Sequence, residues 1–476
     1  MTFNKQAQQA QRGKLKPTER SFLILIGDLF ASGLALLIAL YFWASSANEY
    51  FDLSLSFLRE RPKLWFYLLP VLWLILLVEL YDPKRAGSVQ KTISGVLASF
   101  GIGVVFYAVF YFAASPGSLP RLGVAVFLIA SAVLTLVWRL IFIRISNEPA
   151  FLRRVLVVGG GRAGSTLLRV LREVTPTPFL VLGVVDDDSA KHNTTIEGVK
   201  VLGSSEHLAK WVEKMGITDI LVAISGEVQE SLFQSLLRIQ ETGVDVTGMQ
   251  TIYEELLGRI PIFHFEADWL LRTFIEQSRV NSFYLLSKRL IDMLGGLFGS
   301  LIVVILYPFV ALAILLESGR PIFYSQSRSG LAGQPYNVLK FRTMFQNAEK
   351  DGVPQWATKN DDRVTRVGRI LRKTHIDELP QFFNVLRGDM SLVGPRPERP
   401  KLVQFFEDNV PFYRARLLVK PGITGWAQVN YGYTATVEET SIKLEYDLYY
   451  IKNRSVFLDI LVLLRTPATM LGLRGR

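Results

Sequence analysis

The 476-residue sequence has no cysteine, which excludes disulfides and thiolate metal sites and leaves the redox compartment unread. Histidine is nearly as scarce, at four residues. That is too few for a histidine-rich centre, so hard cations on carboxylates are what remain. No nucleic-acid motif appears, and the basic residues are interleaved with carboxylates rather than gathered into a stripe, so a nucleic-acid partner is not expected. A cleavable leader is not expected either: the first twenty residues are too long and polar for its n-region, and no clear cleavage site follows. What is abundant is apolar residue content, 50% of the chain, together with an excess charge of +11. The first is too high for an ordinary soluble chain of this length. The second suits anionic lipid or phosphorylated substrates.

Four apolar segments fill the first third, Phe22–Trp43, Leu64–Leu80, Ile93–Ala114 and Leu122–Phe142, each near the ~20 residues that cross a bilayer. Lys5, Arg12, Lys14, Lys16 and Arg20 precede the first, Lys84, Arg85 and Lys91 follow the second, and Arg144, Arg153 and Arg154 follow the fourth. The loop between the first two is balanced, with Glu49, Asp52 and Glu60 against Arg59, Arg61 and Lys63. The positive-inside trend therefore puts both ends of a four-helix anchor, residues 1–150, in the cytoplasm. Asp28 lies inside the first span, where a carboxylate is expected to face other helices.

Residues 151–265 alternate strand and helix. An apolar strand runs into Gly159, Gly161 and Gly164 in the spacing G-x-G-x-x-G, and a second strand ends at Asp186, where a ribose-binding acid would stand. This is a Rossmann-like domain, whose turn either holds a nucleotide or is purely structural. A nucleotide-sugar oxidoreductase or epimerase would add a Tyr-x-x-x-Lys pair, and none is present. A connector at about 266–286 leads to a third region, 287–476. That region opens on the apolar stretch 290–316, flanked by Lys288, Arg289 and Arg320 and interrupted by Pro308, which removes a helical hydrogen bond. A kinked, re-entrant segment keeps the basic flanks on one side.

The remainder is polar, basic and rich in turns. Asp377 and Glu378 are adjacent, with Arg328, Lys340, Arg342, Arg372 and Arg396 elsewhere in the region. One carboxylate could attack phosphorus while the other holds Mg2+, and guanidinium groups can clamp phosphate oxygens in bidentate fashion. On spacing alone, a solvated face of offset charges explains the same residues better.

The ordered blocks decide between them. Lys288–Asp292, Lys340–Met344, Asp377–Gln381, Ser391–Pro397, Lys420–Gln428 and Tyr446–Tyr450 together resemble the bacterial sugar transferases known as polyprenyl-phosphate glycosyl-1-phosphate transferases. The anchor and Rossmann-like segment are similar, less specifically, to the large members of that family. The resemblance implies a membrane helical bundle, an α/β Rossmann-like domain and an α+β catalytic domain with a re-entrant helix broken at Pro308, although Tyr307 stands where many members have serine. It implies transfer of a hexose 1-phosphate from a UDP-sugar to polyprenyl phosphate at the cytoplasmic face of a bacterial inner membrane. Asp377 would be the nucleophile and Glu378 the Mg2+ ligand, with Lys340, Arg372 and Arg396 ordering the catalytic site. Arg328, Arg342, Arg416 and Asp447 would serve substrate binding, and a homodimer is expected. A non-enzymatic scaffold is the remaining alternative.

Overall fold

A computed structural model describes residues 17–46, 53–113, 120–148, 152–174, 179–264, 282–345, 361–432 and 436–470. The chain forms two compact units, Met1–Leu257 and Gly258–Arg476. The basic tail before residue 17, Glu49, Asp52 and most of the expected connector lie outside the described residues.

Three of the four expected spans are long helices, Pro17–Ser46, Val89–Ala113 and Arg121–Ser146. The second is not. It is divided into Leu64–Tyr67, Leu69–Leu76 and a 3-10 turn at Val78–Tyr81, with Pro70 in the first turn of the middle piece. A broken helix frees backbone carbonyls that hydrocarbon cannot satisfy. Here side chains of the neighbouring helices take them: Ser99 Oγ donates to the Leu76 carbonyl at 2.9 Å and Arg139 Nη1 to that of Leu80 at 3.0 Å. Arg139 is itself paired with Asp28, Nη2 to Oδ2 at 2.6 Å, and both side chains are buried. Asp28 therefore faces the bundle interior, and its partner ties three elements together.

The α/β domain carries a six-stranded sheet. Its strands are β1 (Arg153–Val158), β2 (Phe179–Val185), β3 (Thr195–Ile196), β4 (Val199–Gly203), β5 (Asp219–Val222) and β6 (Asp245–Gly248). The order is β3-β4-β2-β1-β5-β6, parallel throughout except for the β3–β4 hairpin. Helices Arg162–Glu173 and Met249–Leu257 cover one face, and Leu208–Met215 and Glu230–Glu241 the other. Burial on both faces is why β1 and β2 read as continuous apolar runs.

The first long element of the second unit is a 37-residue helix, Ser282–Ser318, roughly 55 Å long at 1.5 Å per residue. Pro308 lies inside it, and helix continues on either side. One face is buried along its length: Asp292, Gly296, Gly299, Val303, Val310 and Ile314. The opposite face exposes Leu294, Phe298, Leu301, Ile305, Leu312 and Leu316. Then come an antiparallel hairpin of β7 (Phe323–Ser329) and β8 (Pro335–Phe341), and a parallel pair of β9 (Ser391–Val393) and β10 (Gly422–Thr424). Helices Val437–Lys452 and Val456–Met470 close the core around Val393, Phe406, Tyr413 and Leu448. Ile260 and Ile262 belong to that same core.

Candidate active site

Helix Arg366–Thr374 starts where the Thr365 side chain accepts from the Gly368 amide at 2.8 Å. Gly368 is required there, because a Cβ would lie 2.1 Å from the Thr343 carbonyl oxygen. That close approach lets Arg372 Nε donate to Thr343 Oγ1 at 2.9 Å. The helix ends at His375, in the left-handed region at φ 57°, and the chain turns into a single 3-10 turn, Ile376–Glu378. Helix Gln381–Arg387 follows. Asp377 and Glu378 therefore sit on a tight turn between two helices. In 3-10 geometry neighbours diverge by about 120°.

They meet different surroundings. Glu378 Oε1 accepts from Lys340 Nζ at 2.7 Å and from Arg396 Nη2 at 2.9 Å. Burial works against its ionisation, but Arg396 and Lys340 outweigh that and hold the carboxyl well below its usual range. Asp377, 8% exposed, has no such clamp. Burial and then the charge of Glu378 push its carboxyl up to about 6, against the opposing pull of Lys340 and Arg372. Two adjacent carboxylates with pKa values driven apart form a pattern typical of acid, base and nucleophile assignments. A cleft beside them is lined by Arg328, Lys340, Glu378, Gln381, Arg396 and Ile423.

Against this geometry, two family models match: bacterial sugar transferase over residues 283–472, and CoA-binding domain over 77–249. The chain is 43% identical over 236 residues to the UDP-N-acetylgalactosamine-undecaprenyl-phosphate N-acetylgalactosaminephosphotransferase of Aeromonas hydrophila, covering 50% of this chain and 54% of that one. It is 34% identical over 330 residues to the UDP-glucose:undecaprenyl-phosphate glucose-1-phosphate transferase of Klebsiella pneumoniae, covering 66% and 67%. A protein of the same name from Xanthomonas campestris pv. campestris is 28% identical over 67% of each chain. The chain belongs to the bacterial sugar transferase family. It spans about half to two thirds of the length of these relatives.

Not every expected site residue of this bacterial sugar transferase lines the cleft. Arg328, Lys340, Glu378 and Arg396 line it, and Asp377 stands next to Glu378 within electrostatic reach of Lys340 and Arg372. Arg342 points elsewhere: it donates to the carbonyls of Ser318, Gly319 and Arg320 at 2.6–2.9 Å, tying the end of the long helix to β8. Arg416 and Asp447 are buried and paired with each other at 3.0 Å. Sequence reasoning passed over Glu398 and Lys443, which are paired at 3.0 Å just behind Arg396. Glu398 directly follows Pro395-Arg396-Pro397, a segment whose prolines remove two amide donors; its position was the available signal.

In the α/β domain the three glycines and Asp186 also meet. Gly159 has φ 101°, and a Cβ on Gly164 would lie 2.0 Å from its carbonyl oxygen, so turn and helix packing account for both. Asp186 accepts from the amides of Gly160 at 2.6 Å and Asp188 at 2.9 Å and from Lys191 at 3.2 Å. The turn itself thus engages this carboxylate, and a ribose hydroxyl would compete with Lys191 for it.

Proposed function

We propose that this chain transfers a hexose 1-phosphate from a UDP-sugar to polyprenyl phosphate, through a phospho-sugar ester on Asp377. The observation that carries this reading is the asymmetry of the turn: Glu378 neutralised by two cations, Asp377 buried and unclamped beside the cleft. An Asp377 oxygen attacks the β-phosphorus of the donor, the bond to the bridging oxygen breaks, and UMP leaves with that electron pair. A polyprenyl phosphate oxygen then attacks the same phosphorus and returns Asp377 as the carboxylate. One pyrophosphate-type linkage replaces another, so positioning and charge neutralisation supply the catalysis. Lys340, Arg372 and Arg396 surround the carboxylates and lower the repulsion between anionic nucleophile and anionic donor.

Among the described residues no three acidic or histidine side chains form a metal cage. Mg2+ is ordinarily held by one or two carboxylates together with substrate phosphates, and Glu378 beside a donor diphosphate matches that. Bound there, the ion would neutralise diphosphate charge. Both cations contact Glu378 through Oε1, so Oε2 is the oxygen that would hold the ion while those contacts stay in place.

The contacts at the two ends of the long helix support a re-entrant placement in the membrane. Asp292 Oδ1 accepts from Ser391 Oγ and the Leu392 amide near one end, and Glu317 accepts from the amides of Arg366 and Val367 at the other. A helix held at both ends by one polar unit cannot cross a bilayer without taking that unit into hydrocarbon. In this reading both ends stay on the cytoplasmic side, Pro308 is where the helix bends, and the exposed apolar face lies in the lipid. Ser282→Cys and Gly330→Cys in this cysteine-free chain should both resist an impermeant thiol reagent in intact cells; labelling of either refutes the re-entrant placement.

The relatives are named for different sugars, so the chemical test uses a panel. UDP-glucose and UDP-N-acetylgalactosamine, labelled in the β-phosphate, are incubated with enzyme and no lipid. Label should stay on a peptide containing Asp377 and leave it when polyprenyl phosphate is added. Absence of labelled protein, with kinetics requiring both substrates bound together, replaces the two-step reading with direct transfer.

A further inference from the structure

Pro395-Arg396-Pro397 lacks two of its three backbone donors, so strand pairing through amides cannot hold it. Its carbonyls do the holding. The Arg396 carbonyl accepts from Arg416 Nη2 at 2.9 Å, that of Pro397 from Arg328 Nη1 at 3.3 Å, and that of Glu398 from the Ser329 amide at 2.9 Å. Three successive carbonyls are thus fastened from two other elements: the end of β7, and the 3-10 segment Tyr413–Leu418 that carries Arg416. The two arginines are in turn gathered by one carboxylate. Glu398 Oε1 lies 3.0 Å from Lys443 Nζ and 3.9 Å from Arg416 Nη1, and Oε2 lies 4.0 Å from Arg328 Nη1. Asp447, on the same helix as Lys443, fixes Arg416 from the far side at 3.0 Å.

We propose that Glu398, Lys443, Arg416 and Asp447 form a positioning cluster whose output is the placement of the Arg396 guanidinium on Glu378. None of the four needs to touch substrate. Resting on the transferase reading above, this replaces the substrate-binding roles expected of Arg416 and Asp447 with a mechanical one. A half-exposed arginine in open solvent would sample many rotamers. Stapling the backbone at and just after it removes much of that freedom before the donor arrives. The cluster also explains why the charges sit behind the cleft: buried ions held by several partners hold one geometry, and removing one partner leaves the others uncompensated.

The test is a double-mutant cycle on the full chain in detergent, reading UMP release. Arg396→Ala alone should lower turnover at least tenfold. Glu398→Gln alone should lower kcat by about tenfold while moving the donor KM less than threefold. In the Arg396→Ala background, Glu398→Gln should change turnover by less than twofold, because the group it positions is already gone. Independent losses that multiply would overturn the proposal and make Glu398 a contact to substrate. Lys443→Arg, which keeps the charge, should restore most of what Lys443→Met removes; equal losses from both would count against it. Amide exchange supplies a readout that needs no turnover. The peptide spanning 391–402 should exchange faster in Glu398→Gln than in wild type, with the β7–β8 hairpin unchanged. Unchanged exchange there refutes the positioning role even if activity falls, and loss of protection throughout the unit identifies a folding defect instead, which also refutes it. Full activity of Arg396→Ala would overturn the role given to Arg396. Failure of wild type to release UMP from any donor, with the exchange result intact, would instead overturn the reaction assigned to the site.

Discussion

Asp377→Asn should abolish turnover and make the protein more stable. In the folded chain burial and Glu378 raise the Asp377 carboxyl from 3.8 to about 6. A shift of roughly two units corresponds to about 3 kcal/mol of unfavourable interaction in the ionised form. The sign is set by proton binding. Between pH 3.8 and about 6 the folded state holds the Asp377 proton more tightly than the unfolded state, so stability contributed by this group is present at low pH and lost as pH rises through that window. Above about pH 6 the wild type carries the full penalty and the asparagine variant does not. At pH 8 the variant should therefore gain up to about 3 kcal/mol, or roughly 6 to 12 °C in unfolding temperature for a unit of this size; near pH 4 the two should coincide. Glu378→Gln should go the other way. That carboxyl is held low by Arg396 and Lys340, so its contribution is present at neutral pH and disappears as pH falls, and the variant should be less stable than wild type at pH 7. The assay is tryptophan fluorescence on heating across pH 4 to 8, beside UMP release. Equal or lower stability of Asp377→Asn at pH 8 would refute the claim that Asp377 is a buried, strained carboxylate.

Other consequences are as open to measurement. Wild-type turnover should rise about tenfold per unit of pH below about 6 and flatten above it, as ionised Asp377 accumulates; Arg372→Ala, which removes an opposing cation, should move that limb to higher pH. Asp28→Leu should lower bundle stability by about 3–5 kcal/mol because Arg139 is left buried and unpaired, whereas Asp28→Leu with Arg139→Met should recover most of it; unfolding in detergent micelles reads both. Gly164→Ala should cost about 1–3 kcal/mol through the clash with the Gly159 carbonyl and leave UMP release per folded molecule unchanged. A fragment starting at Gly258 should be active and more stable than one starting at Arg279, because only the first retains Ile260 and Ile262 in the core and the Gly258 carbonyl that accepts from Trp426 Nε1 at 2.7 Å.

Periodic and contiguous features were legible from sequence. Apolar runs located three of the four anchor helices and the long helix, and strand–turn–helix alternation located the sheet, because both patterns are written over neighbouring residues. The ordered blocks around Asp377 located the family and the candidate pair of carboxylates. Leu64–Leu80 misled for a physical reason. Hydropathy records that a segment is apolar enough for lipid, but not that Pro70 interrupts it and that Ser99 and Arg139 accept the consequences.

By itself, then, the sequence determined the layout: an apolar anchor, an alternating α/β domain, and a basic region carrying adjacent carboxylates. Tertiary structure alone decided which charges work on which. Arg328, Arg342, Arg396 and Arg416 are one residue type in one basic region, and nothing local separates the one that meets Glu378 from those that hold carbonyls. Side-chain pairing is settled by contacts between residues far apart in the chain, such as Lys340 with Glu378 and Arg416 with Asp447. The same contacts set the dielectric around each charge, and so gave two neighbouring carboxylates opposite electrostatics.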